Sequence, residues 1–497
     1  MKRFKNKLLT AVVAAALLGS CSKDYLETKP TDAVLPEAVF ATATDAIKVV
    51  DGMYRMFYAQ IQGSQALGGI GGHMIYMEVL ADDVVMTGQS NGWFISDYRW
   101  VNHRVPTNSS VKYHYLYPYT FIINANYLLE NIDAAEGTTT DKDYVTAQAK
   151  ALRAFSYFNL VQVFGKRYDP LNVPNEQLGV PLKTSSNEKE ILPRASVEDV
   201  YGLIVKDLED AIGLFTTTRK DKSHMNVRVA QGLLARVYLT MGKWQEAADL
   251  ANAARQGFTL MSEDQYMSGF NDYSNQEWMW GTHQIAEHNT YFYNFFAYMS
   301  ANFNSTNIRT NPKAISERLY NMMSPTDFRR NLWDPTGTNT AFPIPASTAE
   351  RKPYMNRKFL VPDVNMSNAD YPLMRAAEMY LIEAEALAHL GSRDADAAQV
   401  LFELVSMRDP GYTLSTNTGT DLLEEILVQR RIELWGEGFR FKDLKRLNLP
   451  LDRNNSNHNA SLAANIFDVP AGDIRWEFLI PQAEINYTAE IVVQNPL

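Results

Sequence analysis

Two stretches of the chain concentrate side chains able to grip a polar ring compound. The first holds Asp82, Asp83, Asn91, Trp93, Phe94, Asp97, Tyr98, Arg99 and Trp100 in a glycine-flanked segment. The second, residues 278–298, holds Trp278, Trp280, Tyr291, Phe292, Tyr293, Phe295, Phe296 and Tyr298. Aromatic faces cover the apolar faces of sugar rings, while carboxylates, amides and guanidinium groups take the hydroxyls. Asp83, Asn91, Trp93, Tyr98, Trp100, Tyr291 and Tyr293 are the candidate contacts on this reasoning. Aromatic side chains more often fill a core. A loop setting favours exposure of Trp93, Tyr98 and Trp100, whereas Trp278 and Trp280, two apart on an expected strand, are placed against the frame.

Other reactive constellations fail on spacing. His283, Glu287 and His288 do not reproduce the metalloprotease pattern, in which two histidines and a glutamate share a helix face. The glycines of 68–72 lack a phosphate-loop lysine and read as a flexible loop. A Gly-x-Ser-x-Gly elbow is absent. No catalytic residue and no cofactor is assigned. The adjacent Asp82 and Asp83 could hold a structural calcium ion together with loop carbonyls.

Cys21 is the one cysteine, so neither an internal disulfide nor a thiolate metal site can form. Upstream lie Lys2, Arg3, Lys5 and Lys7, then an apolar run over 8–18, then Gly19 and Ser20. Basic, apolar and small residues in that order are a secretory signal, and the apolar run is too short to span a bilayer comfortably. The stretch "LGSC", residues 18–21, looks like a bacterial lipobox, which makes Cys21 the expected lipidation site. Each buried methylene contributes about 0.8 kcal/mol, so two acyl chains anchor a protein stably. Ser22, rather than an aspartate, follows the cysteine, which in bacterial lipoproteins is compatible with sorting to an outer membrane. The formal charge is −10 and grows more negative once the basic leader is removed. That balance argues against nucleic acid as a partner.

The candidate contacts need a frame to position them, and the chain is too long for one ordinary core. Residues 22–40 read as a tether with Pro30 and Pro36. Helical periodicity is expected over 44–60, 115–132 and 144–164. Ser196 reads as an N-cap, with Glu198 and Asp199 in the first turn of a helix ending near Phe215. Residues 62–110 are expected to be loop with short elements. Helices over 227–240 and 243–256 form a hairpin in which Ala235, Tyr238, Gly242, Trp244 and Ala247 have tetratricopeptide-repeat spacing. The frame recurs at Ala384, Leu387, Gly391 and Ala397. Between the hairpins, periodicity fades over 258–369. A helix is expected over 421–435 and a short one near 439–447, with an extended end at 478–481. Arg430, Glu433, Glu437, Arg440, Asp443 and Arg446 recur every three or four residues. Their signs can pair, across a bend at Gly436 and Gly438, as a structural ion-pair network.

Four segments, in order after the lipobox, resemble the SusD/RagB family of outer-membrane lipoproteins. They are "ALRAFSYF" at 151–158, "RAAEMYLIEAEA" at 375–386, the block at 430–446 that ends in "EGFRFKDLKR", and "LIPQAEI" at 479–485. The likeness spans nearly the whole mature chain; residues 84–110 and the aromatic middle match least. It implies a mostly α protein whose tetratricopeptide-like hairpins form a superhelical scaffold, with an irregular, loop-rich ligand-binding insertion. The expected organisation is a signal peptide at 1–20, a tether and scaffold with the first hairpin at 21–265, the insertion at 266–369, and the second hairpin, charged helix and C-terminal segment at 370–497. The resemblance further implies a lipid-anchored, non-enzymatic receptor on the cell surface. Its partners are a SusC-like TonB-dependent transporter in the outer membrane and a glycan ligand. A peptide-binding receptor of the RagB type is the alternative. A surface glycoside hydrolase is the third reading, for which an identifiable acid and nucleophile pair is missing.

Overall fold

Helices dominate the computed structural model, which describes residues 40–58, 60, 67–187, 189–285, 287 and 291–497. Cys21, the leader and the tether before residue 40 lie outside the described residues. The longer helices are α1 (Ala43–Arg55), α2 (Gly69–Val79), α3 (Ser109–Asn131), α4 (Thr139–Phe164), α5 (Val197–Leu214), α6 (Val227–Met241), α7 (Trp244–Arg255), α8 (Ala376–His389), α9 (Asp394–Val405), α10 (Gly419–Glu433) and α11 (Arg440–Arg446). Local chemistry starts several of them. The Thr138 hydroxyl accepts from Asp141 N at 3.1 Å, and Ser196 accepts from Asp199 N at 3.0 Å, each satisfying an amide the helix leaves unpaired.

The two expected hairpins are present. Helix α6 turns into α7 at Gly242 (φ +72°), and α8 turns into α9 at Gly391 (φ +68°), a left-handed conformation that glycine adopts without strain. Helix α7 packs on α8. There Trp244 stacks on His389, with ring centroids 4.0 Å apart, and Arg255 pairs with Glu383 at 2.7 Å. Helices α3, α4, α5 and α6 continue the stack by consecutive packing. The outcome is the mostly α, tetratricopeptide-like architecture that the spacing predicts.

Residues 68–72 are not a flexible loop. They open α2, every residue of which is buried. Three glycines in one helix each cost about 1 kcal/mol of propensity, and close packing overrides that cost. A Cβ on Gly71 would stand 3.0 Å from both Phe295 and Tyr371.

The irregular middle carries short strands. A four-stranded antiparallel sheet runs in the order Val84–Met86, Lys313–Ile315, Met355–Asn356, Trp333–Asp334, with Val84 opposite Ile315. It ties the first aromatic stretch to the insertion. Trp278–Gly281 pairs antiparallel with Pro372–Arg375, placing Trp278 opposite Arg375 at the base of α8.

The charged block does break, at Gly436 (φ +80°) and Gly438 (φ +88°). Most of its pairs, however, reach distant segments and are buried rather than lying along one face. Within the block, Asp443 accepts from Arg430 at 2.8 Å and from Arg446 at 2.7 Å. Glu433 meets Arg329 and Arg375 at 3.0 Å and Arg408 at 3.3 Å. Glu437 meets Lys358 at 2.7 Å and Arg375 at 2.8 Å. Arg375 also pairs with Glu277, which Arg408 reaches at 2.7 Å. Burial opposes the charge on Glu433, yet the Arg408, Arg375 and Arg329 guanidiniums hold its carboxyl well below the usual range. Arg329, Lys358, Arg375 and Arg408 thus match Asp327, Glu277, Glu433 and Glu437 one for one.

Candidate functional site

The two aromatic stretches, far apart in sequence, meet in space. Trp93 is half-buried, with its ring edge-on to that of Phe292 at 5.8 Å between centroids. Phe292 is 38% exposed. Behind them Phe94 packs on Tyr298 at 4.6 Å, both buried. The loop that presents Trp93 is built from sharp turns, with positive φ at Ser90, Gly92 and Phe94.

That loop leans on residues 306–311. Asn311 Oδ1 accepts from Thr87 N at 2.9 Å and from Gly88 N at 3.1 Å. Ser90 Oγ donates to Thr306 O at 3.2 Å, and Asn307 Nδ2 donates to Asn91 Oδ1 at 2.9 Å. Lys313 Nζ reaches Asn307 Oδ1 at 3.2 Å and Asn311 O at 2.6 Å from below. The opposite lip is set by Gly68: a Cβ there would lie 1.7 Å from the Tyr293 carbonyl oxygen. Only glycine lets the Tyr291–Tyr293 turn sit so close to the start of α2.

The sequence candidates divide accordingly. Asn91 is exposed, and Trp93 and Tyr293 are half-buried, so all three lie at or near this surface. The Tyr291 side chain lies outside what the structure describes. Tyr98 and Trp100 are corrections: both are buried, at 0% and 4% exposure, and neither offers a ring face to solvent. A one-turn helix, Ile95–Tyr98, carries them inward. Tyr98 bonds His458 and lies 4.2 Å from the Arg453 guanidinium, while Trp100 Nε1 donates to Leu80 O at 2.8 Å beside Trp476. Asp83 is a third correction. It is buried and takes Arg431 in a bidentate pair at 2.6 and 3.0 Å. Asp82 is likewise held by Arg440 at 2.7 Å. Guanidinium groups take the place a calcium ion would occupy on this aspartate pair.

Trp278 and Trp280 are core residues, as expected from the strand. Asn307 was not anticipated; its one sequence signal is the run of Asn, Ser and Thr over 302–311. Among the described residues, no group of three or more His, Cys, Asp or Glu side chains could hold a metal. Nor is any described helix long and apolar enough to cross a membrane.

Comparison with known proteins agrees with this architecture. Residues 24–239 match a family model described as "Starch-binding associating with outer membrane", and residues 269–497 match the SusD family model. The chain is 25% identical to SusD-like protein P2 of Formosa agariphila, over 90% of this chain and 91% of that one. Its fold matches a SusD-like carbohydrate binding protein from Bacteroides vulgatus with TM-score 0.79 and 27% identity, covering 90% of this chain and 97% of that one. A SusD superfamily protein from Bacteroides thetaiotaomicron matches with TM-score 0.76 and 26% identity, over 92% of this chain and 100% of that one. The chain belongs to the SusD/RagB family of carbohydrate-binding, outer-membrane-associated proteins.

Proposed function

We propose that the protein is a lipid-anchored surface receptor that captures an oligosaccharide around Trp93 and hands it to a SusC-like TonB-dependent transporter. One observation carries the binding site: a half-buried tryptophan ring stands against an exposed phenylalanine beside the bonded amides of Asn91 and Asn307. A ring face next to the exposed Asn91 amide, which buried Asn307 fixes in place, suits the alternating apolar and hydroxylated surfaces of a sugar. Kinship with the carbohydrate binding protein from Bacteroides vulgatus supports the same ligand class. The lipobox at Cys21 supports the anchor.

The mechanism is binding alone. Trp93 supplies dispersion and apolar contact, and the exposed Asn91 amide, held by the buried Asn307, orients hydroxyls. The buried carboxylates Asp82, Asp83, Glu433 and Glu437 each sit against arginine or lysine, which suits them to structure rather than to proton transfer. Soluble protein lacking residues 1–21, screened against a glycan array and a peptide library, tests the ligand class. Retention of oligosaccharides supports the proposal; retention of peptides alone would replace it with the peptide-receptor reading.

A further inference from the structure

A separate pocket lies beneath α11. A cavity of about 70 Å³, open to solvent on one side, is lined by α2, α4, α6, α8, α10 and α11. Phe155, Phe158, Leu239, Leu373 and Ile382 form its apolar wall. Gln162, Arg236, Phe439 and Lys442, all half-buried, lie on its solvent side.

The charges around it do not balance. Arg236 is matched by Glu378 in a bidentate pair at 2.5 and 2.6 Å. Arg430 and Arg446 share Asp443, and Arg446 also takes Glu385 at 2.9 Å. Glu437 is held by Arg375 and Lys358. Among the described residues, the remaining cation lining the cavity is Lys442, whose ammonium donates to the neutral Asn159 Oδ1 at 2.8 Å. Across the cavity His73 and His114 bond through Nδ1 atoms 3.2 Å apart. Burial holds His73 well below its ordinary value and His114 down at about 3, so neither supplies a charge at neutral pH. Burial and the Arg236 charge push Lys442 down to about 7, although Asp443 and Glu378 oppose that shift.

A second feature points the same way. Arg430 is 4% exposed, lines the cavity, and has no hydrogen-bond partner for Nη1 among the described residues. A buried guanidinium nitrogen without an acceptor is costly. We infer that the cavity binds a small monocarboxylate, its oxygens between Lys442 and Arg430 Nη1 and its alkyl end against the phenylalanine wall. On this measure one water takes roughly 10–15 Å³, so the cavity holds about five water-sized groups. That is the size of propionate. The apolar wall disfavours an inorganic anion, which must keep every oxygen solvated.

Calorimetric titration of the soluble protein with sodium propionate, propionamide and sodium phosphate tests this. Propionate should bind and raise the melting temperature, with propionamide at least tenfold weaker. Lys442→Met should weaken propionate at least tenfold and leave propionamide unchanged. Absence of propionate binding, or equal binding of acid and amide, would overturn the inference. Phosphate binding as tightly as propionate would overturn the carboxylate assignment. The amide comparison uses the unaltered chain, so it stands even if Lys442→Met does not fold.

Discussion

Arg375→Met is the most informative perturbation of the frame. Arg375, Glu277 and Glu433 have no exposed side-chain surface, and Arg375 touches three carboxylates at once: Glu277, Glu433 and Glu437. Methionine keeps much of the volume and removes one positive charge, leaving a surplus buried negative charge. Breaking a buried pair from one side costs about 3–5 kcal/mol. With an unfolding entropy near 2.1 cal/mol/K per residue, roughly 460 folded residues give about 1 kcal/mol per degree, so the melting temperature should fall by about 4 °C. Adding Glu277→Gln restores the match, with Arg408 facing Glu433, Arg329 facing Asp327 and Lys358 facing Glu437. The double variant should recover at least half the loss. The single variant should lose less at pH 5 than at pH 8, because the surplus carboxylate takes up a proton. Differential scanning calorimetry of the three proteins at both pH values measures this. A fall below about 1 °C would refute the reasoning, as would a double variant no more stable than the single one.

Three further outcomes follow from the same geometry. Glu78 accepts from Gly438 N at 2.8 Å and Phe439 N at 2.9 Å, and burial with the nearby Asp83 charge pushes its carboxyl up from 4.5 to about 7. A raised carboxyl withdraws stability as pH climbs from 4.5 through 7, so Glu78→Gln should be more stable than the natural chain at pH 8 by roughly 3 kcal/mol, with the gap closing at pH 4.5 in thermal unfolding. Glu433 and Glu437 are shifted the opposite way. Their contribution is present above the unfolded carboxylate range and is lost as pH falls below it, so acid unfolding monitored by circular dichroism should set in below about pH 4. Gly68→Ala, at φ −93°, meets the Tyr293 carbonyl rather than backbone strain, and should weaken oligosaccharide binding by displacing the Tyr291–Tyr293 turn.

How far the molecule was legible depended on whether its signals were local. The Ser196 cap and the Gly242 and Gly391 turns are decided within a few residues, and periodicity with spacing located their helices. Helix α2 was not legible, because Gly69, Gly71 and Gly72 argue against a helix until Phe295 and Tyr371 are seen packed on Gly71. The early starts of α3 and α4, at Ser109 and Thr139, likewise rest on caps at Asn108 and Thr138. At the site, composition located the aromatic stretches, but only tertiary structure separates Trp93 from Trp100. They are seven residues apart, and a single helical turn between them sends one ring outward and the other inward. The alternation of charge over 430–446 was plain. Its partners at 277, 329, 375 and 408 come from other segments, which no local pattern reveals.

The central claim is that the Trp93 face holds a sugar, and calorimetric titration of Trp93→Ala with an oligosaccharide retained by the natural protein tests it most directly. The expected result is a protein that still unfolds cooperatively, with affinity at least tenfold weaker, each tenfold being about 1.4 kcal/mol. A Trp93→Ala protein that binds the same oligosaccharide as tightly as the natural chain would contradict the assignment.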